Sequence, residues 1–329
     1  MPEGNEIHRW ALRHAEAFAG KTLRVDGPQG RFTDSDVIDG RKLKQVRAVG
    51  KHLGYDFGTD RILHIHMGLR GDFTEGSGAL PAVRGALRLR LWNAAAVKAA
   101  GGEAGEGESR RKVVYSEDDG TGEIEAGKLA WVELRGPTDC SIYSEEKWTK
   151  LTERLGPDPL NGDVPEKAIE RIRKSKKAIA ALLMDQSVIA GLGNIYRAEL
   201  LYRARLNPFV RGMDVSEKAL RAIWKDAGPL MQAGMVDRRI VTTRPQDRPS
   251  VRDAGLNGSK GKAGASKGKN QETLKVGGKV LKDEAHYVYR RNGQPCFVCG
   301  TKVMRQEMEG RNLFWCPVCQ VVDEAKVAG

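Results

Sequence analysis

Two stretches of this 329-residue chain have residue types and spacing suited to chemistry: the start, Met1-Pro2-Glu3-Gly4-Asn5-Glu6, and a set of four cysteines near the other end. If Met1 is trimmed, as is usual ahead of a small residue, Pro2 opens the chain with a free secondary amine. An α-amino group titrates near 8, about two units below lysine, so a usable fraction is unprotonated at neutral pH. A secondary amine that attacks a sugar aldehyde has no second proton to lose. The adduct is therefore a permanently cationic iminium, an electron sink suited to β-elimination. Glu3 and Glu6 place carboxylates beside it that can pass protons to and from the same carbon skeleton. The competing reading is an accidental N-terminus, and the rest of the chain decides between the two.

The cysteines read Cys296-x2-Cys299-x16-Cys316-x2-Cys319. Four soft ligands in two knuckles make a closed tetrahedral zinc site, structural because no coordination position is left open. Between the knuckles Arg305, Arg311 and Asn312-Leu313-Phe314-Trp315 suit a short β-hairpin with a basic tip. A segment this small hardly folds without its metal, so one zinc ion is part of its stability. Cys140 lies outside the set and is expected to be buried. This cysteine usage fits a reducing compartment better than disulfides.

Lys and Arg number 55 against 43 Asp and Glu, a net charge of +12, which favours a polyanionic partner such as nucleic acid, with an anionic membrane as the competitor. No apolar run of roughly 18 residues occurs and the N-terminus has neither a basic n-region nor an apolar h-region, so a soluble protein of the bacterial cytoplasm or nucleoid is expected. The length suits two or three domains.

The elements that must position these groups can be read from periodicity. Ile7, Trp10, Ala11, Leu12, Ala15 and Phe18 have helical spacing up to Gly20, which puts Pro2 and Glu3 at the start of a helix. From Thr22 to Tyr143 the period shifts to two. Val46 to Phe57, Arg61 to Met67, Ala86 to Trp92 and Lys128 to Leu134 read as strands, with Leu87, Leu89 and Leu91 on one face and Arg88 and Arg90 on the other. Gly50-Lys51-His52 falls inside the first strand, ahead of a turn at Gly58-Thr59-Asp60. His64 and His66 share a strand face and read as a polar face rather than a metal site. Residues 94 to 127 look like a long insertion between strands.

After Pro137 the pattern turns helical, with helices predicted over Glu145 to Leu155, Pro165 to Lys174 and Ser175 to Met184, the last capped by Ser175. A two-glycine turn from Asp185 to Asn194 leads into a helix from Ile195 to about Ala204. Asn194 falls at its N-terminus, where backbone N–H groups and the dipole favour phosphate, and Lys176, Lys177, Arg197 and Arg203 add positive charge. Residues 248 to 282 read as a disordered basic linker, either a source of non-specific attraction to DNA or solvated filler. The predicted fold class is α+β and multidomain: an N-terminal β-sandwich with flanking helices at 1–144, a helix-two-turns-helix region at 145–247, the linker, and a zinc ribbon at 283–329.

Met-Pro-Glu-Gly at the start, Gly50-Lys51, Met184-Asp185-Gln186 through Gly191-Leu192-Gly193-Asn194-Ile195-Tyr196, and the ribbon ending Phe314-Trp315-Cys316-Pro317-x-Cys319-Gln320 together resemble the formamidopyrimidine-DNA glycosylase and endonuclease VIII family, on the endonuclease VIII side. The resemblance implies a bilobal base excision repair enzyme with damaged or abasic double-stranded DNA in its cleft, acting as a monomer. It implies Pro2 as the nucleophile at C1′ and Glu3 as the general acid, with Glu6 at a further acidic position of the motif. Lys51 joins the catalytic set and, with Asn194 and Arg311, the phosphate-holding set. Met67 falls where the family places a side chain that fills the gap left by a flipped base, a vacancy worth a few kcal/mol.

Two departures stand out. Asn5 replaces the usual proline. The loop Arg135-Gly136-Pro137-Thr138-Asp139-Cys140 lacks the aromatic wedge of the oxidised-purine glycosylases. The expectation is therefore a bifunctional glycosylase and abasic-site lyase preferring oxidised pyrimidines, with formamidopyrimidine or 8-oxoguanine specificity as the alternative. Rivals from other classes are a non-catalytic zinc-dependent DNA-binding protein on the same scaffold and a zinc-ribbon RNA-binding protein of translation.

Overall fold

A computed structural model describes residues 2–99, 124–252 and 280–321. Met1, most of the insertion expected at 94–127 and most of the basic linker expected at 248–282 lie outside the described residues. The chain forms two compact units, Met1–Asp163 and Val164–Gly329, so residues 145–163, grouped with the helical region in the sequence reading, lie within the first unit.

The first unit opens with helix α1 (Gly4–Phe18), whose buried residues Ile7, Trp10, Ala11, His14, Ala17 and Phe18 recur at helical spacing. Leu12, counted with that face from the sequence, is 65% exposed on the opposite side. Then come β1 (Thr22–Asp26), α2 (Ser35–Ile38), β2 (Arg41–Lys42), β3 (Gln45–Val49), β4 (His52–Asp56), β5 (Ile62–His66), β6 (Asp72–Gly76), β7 (Leu87–Trp92), α3 (Ala94–Ala99), β8 (Trp131–Arg135), β9 (Asp139–Tyr143) and α4 (Glu145–Glu153).

The strands form two antiparallel sheets, ordered β2-β1-β7-β8-β6 and β3-β4-β5-β9. Leu23, Val25, Leu89, Leu91, Val132 and Leu134 of the first sheet share one core with Leu53, Tyr55, Leu63 and Ile65 of the second and with α1. Arg90, on the face opposite the leucines, is buried too, because its guanidinium Nε donates to Glu133 at 2.9 Å.

The stretch Val46 to Phe57 is not one strand. It is a hairpin in which β3 and β4 pair from Gln45↔Asp56 to Val49↔His52, with Gly50-Lys51 as the two-residue turn. Gly50 has φ 58, the left-handed conformation that the first position of such a turn favours, and this side-chain-free residue puts Lys51 at the tip. Residues 126–128 form a 3₁₀ turn rather than the start of a strand. Beyond Pro137, where helix was expected to begin, β9 first pairs with β5 from Ile62↔Tyr143 to His66↔Asp139.

The second unit contains α5 (Glu166–Arg173), α6 (Ile179–Leu182), α7 (Asn194–Arg203) and α8 (Glu217–Val236), then the hairpin of β10 (Met304–Met308) and β11 (Arg311–Trp315). The helix expected from Ser175 to Met184 shrinks to the single turn of α6. Ser175 does not cap it, its Oγ accepting instead from the Lys177 N–H at 3.2 Å. Glu309 and Gly310, both left-handed, make the hairpin tip with Arg311 beside them, whereas Arg305 pairs with Phe314 away from it. Among the described residues no helix is long and apolar enough to cross a membrane.

Candidate functional site

Glu3 is the N-cap of α1 and 1% exposed; its carbonyl accepts from the N–H groups of Glu6 at 3.0 Å and Ile7 at 3.3 Å. Pro2, half-buried, immediately precedes it. Helix geometry thus fixes the backbone of Glu3 and holds the proline against the first unit. Glu6 has a different environment, since Arg9 Nε donates to both of its oxygens at 3.1 Å. Asn5 is 3% exposed and its Oδ1 has no hydrogen-bond partner among the described residues, so the departure from proline leaves a buried carbonyl in the first helical turn.

The Lys51 turn is tied to α1 by a residue that no sequence motif marks. Asp158 is fully buried; its Oδ2 accepts the Gly50 N–H at 2.7 Å and lies 2.8 Å from His8 Nε2 on α1, while Oδ1 accepts the Leu160 N–H at 2.9 Å. One carboxylate therefore sets the hairpin tip against the helix that carries Glu3. Its one sequence signal is an acid between two prolines, Pro157-Asp158-Pro159.

Next to Lys51, three histidines stack on the sheet. His52 Nδ1 is 3.0 Å from His64 Nε2, His64 Nδ1 is 2.9 Å from Asp139 Oδ2, and the His52 and His66 ring centroids are 4.8 Å apart. Burial, with the neighbouring imidazoles adding, pushes His52 down to about 3. Burial also brings His64 down to about 4 despite Asp139. His66 is lowered by burial and by the Lys51 ammonium. The sequence showed two of these histidines on one face; strand pairing supplies His52 and Asp139. Among the described residues the arrangement forms no metal-ligand group.

Met67 belongs to the core and is 1% exposed. The exposed apolar residue of that turn is Leu69, at 51%, followed by exposed Arg70. Here the chain crosses from β5 to β6, and the crossover from β8 to β9 lies against it. Thr138 N–H donates to the His66 carbonyl at 2.8 Å, and a Cβ on Gly68, φ 62, would fall 1.7 Å from Thr138 Oγ1. The crossover between β8 and β9 is only Gly136-Pro137-Thr138 and carries no aromatic residue.

In the second unit Gln186 closes the glycine-containing turn, accepting the Gly191 N–H at 3.0 Å and donating to the Leu192 carbonyl at 2.8 Å. The N-cap of α7 is Gly193, so Asn194 is the first helical residue and not the cap. Asn194 Nδ2 donates to the Asn312 carbonyl at 3.0 Å, which places it against the ribbon one residue from Arg311. Two of the cations expected to aid this turn point inward: Arg197 is fully buried and Arg203 is held by Asp226 at 2.5 Å, while Lys176 and Lys177 are exposed. Fully buried Glu199 accepts the N–H groups of Tyr287, Val288 and Tyr289 at 2.8, 2.9 and 2.8 Å, tying α7 to the segment that enters the ribbon. Buried polar residues on one helix gave no apolar stripe from which this role could be read.

Cys296, Cys299, Cys316 and Cys319 place their sulfurs within 4.8 Å of one another, with Cys296–Cys319 at 3.8 Å and Cys299–Cys316 at 3.4 Å. Tetrahedral zinc with Zn–S near 2.3 Å needs sulfurs about 3.8 Å apart, so the set fits that ion. Tyr202 of α7 lies behind it, with its hydroxyl 3.1 Å from Cys296 Sγ. Cys140, expected buried, is half-buried on β9.

Residues 1–100 match the formamidopyrimidine-DNA glycosylase N-terminal domain and residues 155–245 the formamidopyrimidine-DNA glycosylase H2TH domain. The chain is 38% identical to Endonuclease 8 1 of Mycobacterium tuberculosis over 327 residues, covering 97% of this chain and all of that one. It is 27% identical to the formamidopyrimidine-DNA glycosylase of Thermomicrobium roseum over 336 residues, covering 97% and 99%. In fold it is similar to the Lactococcus lactis Fpg in complex with DNA containing an abasic site, with a TM-score of 0.65 at 19% identity and coverage of 97% and 99%.

Proposed function

This chain belongs to the formamidopyrimidine-DNA glycosylase and endonuclease VIII family, and from that premise we propose how it acts on DNA. It is a DNA glycosylase and abasic-site lyase of base excision repair. In our reading the Pro2 nitrogen attacks C1′ of the damaged nucleotide. An N–C1′ bond forms, and the N-glycosidic bond breaks with its electron pair leaving on the base, which takes up a proton. Glu3 protonates O4′ as the C1′–O4′ bond opens, and loss of the amine proton leaves the cationic iminium. Removal of a C2′ proton then expels the 3′ phosphate and a second elimination expels the 5′ phosphate. Water releases the sugar fragment and restores the amine.

Lys51 in the first unit and Asn194 and Arg311 in the second hold phosphates of the damaged strand. The four cysteines hold one zinc ion, which supplies folding energy to the ribbon at 283–329 and no chemistry. Leu69, 51% exposed at the turn, fills the stack in place of Met67, which is 1% exposed in the core.

The observation that carries this reading is the buried tie His8–Asp158–Gly50, which sets the Lys51 turn against the helix that begins at Glu3. Binding alone has no use for a secondary amine beside a buried carboxylate. The short Gly136–Thr138 crossover favours oxidised pyrimidines such as thymine glycol and dihydrouracil. Discrimination of the opposite base is weak and activity extends to single strands, where flipping costs least. Excision of thymine glycol and 8-oxoguanine from matched duplexes tests the preference. Faster removal of 8-oxoguanine, with strong dependence on an opposite cytosine, would place the chain with the purine enzymes.

A further inference from the structure

The amide of Asn194 is held at both ends. Arg197 Nη2 donates to its Oδ1 at 2.6 Å, and its Nδ2 donates to the Asn312 carbonyl at 3.0 Å. An asparagine amide rotates end for end at little intrinsic cost, so its partners decide which end faces which way. In the flipped orientation, guanidinium would face NH2 and carbonyl would face carbonyl, losing a charge-assisted hydrogen bond and a neutral one together. Arg197 therefore selects the orientation in which the NH2 group meets the ribbon beside Arg311. One amide hydrogen is spent on Asn312, and among the described residues the second is left to donate.

Arg197 is 0% exposed, a costly location for a cation that never loses its charge. Solvation or a surface phosphate contact does not account for it. Its place on α7, three residues after Asn194, puts the two on one helix face. Holding the ribbon is the task of other residues, since Glu199 accepts three backbone N–H groups from residues 287 to 289 and Gln320 Nε2 donates to the Leu206 carbonyl at 3.1 Å.

We propose that Arg197 is a positioning residue for DNA binding: it fixes the Asn194 amide so that an N–H, not the carbonyl oxygen, is offered to a DNA phosphate. The inference rests on the reading above in which Asn194 contacts phosphate.

The test is a double-mutant cycle on the full-length, zinc-loaded protein. The probe is a duplex with a tetrahydrofuran abasic analogue, and Kd is measured across a salt series with zinc content checked for each variant. Asn194→Ala is expected to weaken binding about tenfold, the worth of one hydrogen bond to a charged acceptor. Arg197→Lys should weaken it by several-fold with no change in salt slope, because a fully buried cation neutralises no phosphate. In the Asn194→Ala background, Arg197→Lys should add less than twofold. Additive losses, or a slope reduced by about one, would overturn the proposal. Unchanged affinity in Asn194→Ala would instead overturn the underlying reading of Asn194. If the Arg197 variants fail to fold, Asn194→Asp carries the test. It keeps an oxygen for Arg197 and removes both amide hydrogens, so it should bind at least as weakly as Asn194→Ala. Wild-type affinity in Asn194→Asp would show that the amide's orientation is irrelevant.

Discussion

Asp158 Oδ2 accepts the backbone N–H of Gly50 at 2.7 Å inside the first unit, more than a hundred residues apart in sequence. The same oxygen meets His8 of α1, so the lysine turn and the helix that Glu3 caps share one buried anchor. Asp158→Ala leaves a buried N–H without an acceptor and should cost about 1–3 kcal/mol of stability. Per folded molecule, cleavage at a preformed abasic site should also slow by tenfold or more, because the Lys51 turn loses its tie to the helix that Glu3 caps. Asp158→Asn, which can still accept from Gly50, should retain most activity. Thermal melts and single-turnover rates measure both effects, and an unchanged rate in folded Asp158→Ala would contradict the role.

Lys51 and Arg311 come from different units and are each assigned to phosphate. Replacing either with Ala should weaken binding to every sequence alike and lower the salt slope by about one. Asn194→Ala should weaken binding at constant slope. Slopes identical to wild type in both charge variants would remove these residues from the DNA interface.

Met67 and Leu69 separate stability from function. Met67→Ala empties a core position and should cost about 2–5 kcal/mol. Leu69→Ala, at a residue 51% exposed, should leave the melting temperature within a degree or two. It should lower base excision from duplex DNA far more than cleavage at a preformed abasic site, where no base has to be held out. Equal effects of Leu69→Ala on the two substrates would argue against a stack-filling role.

The histidine stack predicts acid sensitivity. His52 and His64 bind protons less readily folded than unfolded, their values lying at about 3 and about 4 against an ordinary 6.5. Protonation therefore favours the unfolded chain. The stabilisation is whole above the ordinary histidine value and is lost as pH falls from there towards 4. The loss is about 1.4 kcal/mol per group per pH unit at most. Melting temperature should fall steeply between pH 6.5 and 5, and His52→Gln should flatten the fall. A flat wild-type profile over that range would show that the imidazoles are freely solvated.

Much of this was legible in advance, for identifiable reasons. The four cysteines announce their cluster by type and spacing, and β7 shows itself as a strand by alternating leucine and arginine, although Arg90 is buried along with the leucines. What could not be read depended on pairing distant in sequence. Lys51 sits at a turn because Gly50 takes a left-handed conformation between two β-rich runs that look continuous. Leu69 replaces Met67 at the surface because the alternation stops at Gly68 when the chain changes sheets. Helix α8 was missed because Gly228-Pro229 interrupts its pattern, although Pro229 lies within the 20-residue helix. Asp158, Arg197 and Glu199 are buried polar residues, and periodicity arguments find only apolar ones.

The central claim is that the Pro2 nitrogen forms the covalent intermediate. Its most direct test is borohydride reduction of the protein on abasic-site DNA, followed by trypsin digestion and mass spectrometry of the nucleotide-bearing peptide. The modification should lie on the peptide Pro2–Arg9, at the proline, and a chain retaining Met1 should give no adduct. Attachment at Lys51 or any other lysine, or full trapping with Met1 in place, would contradict the account.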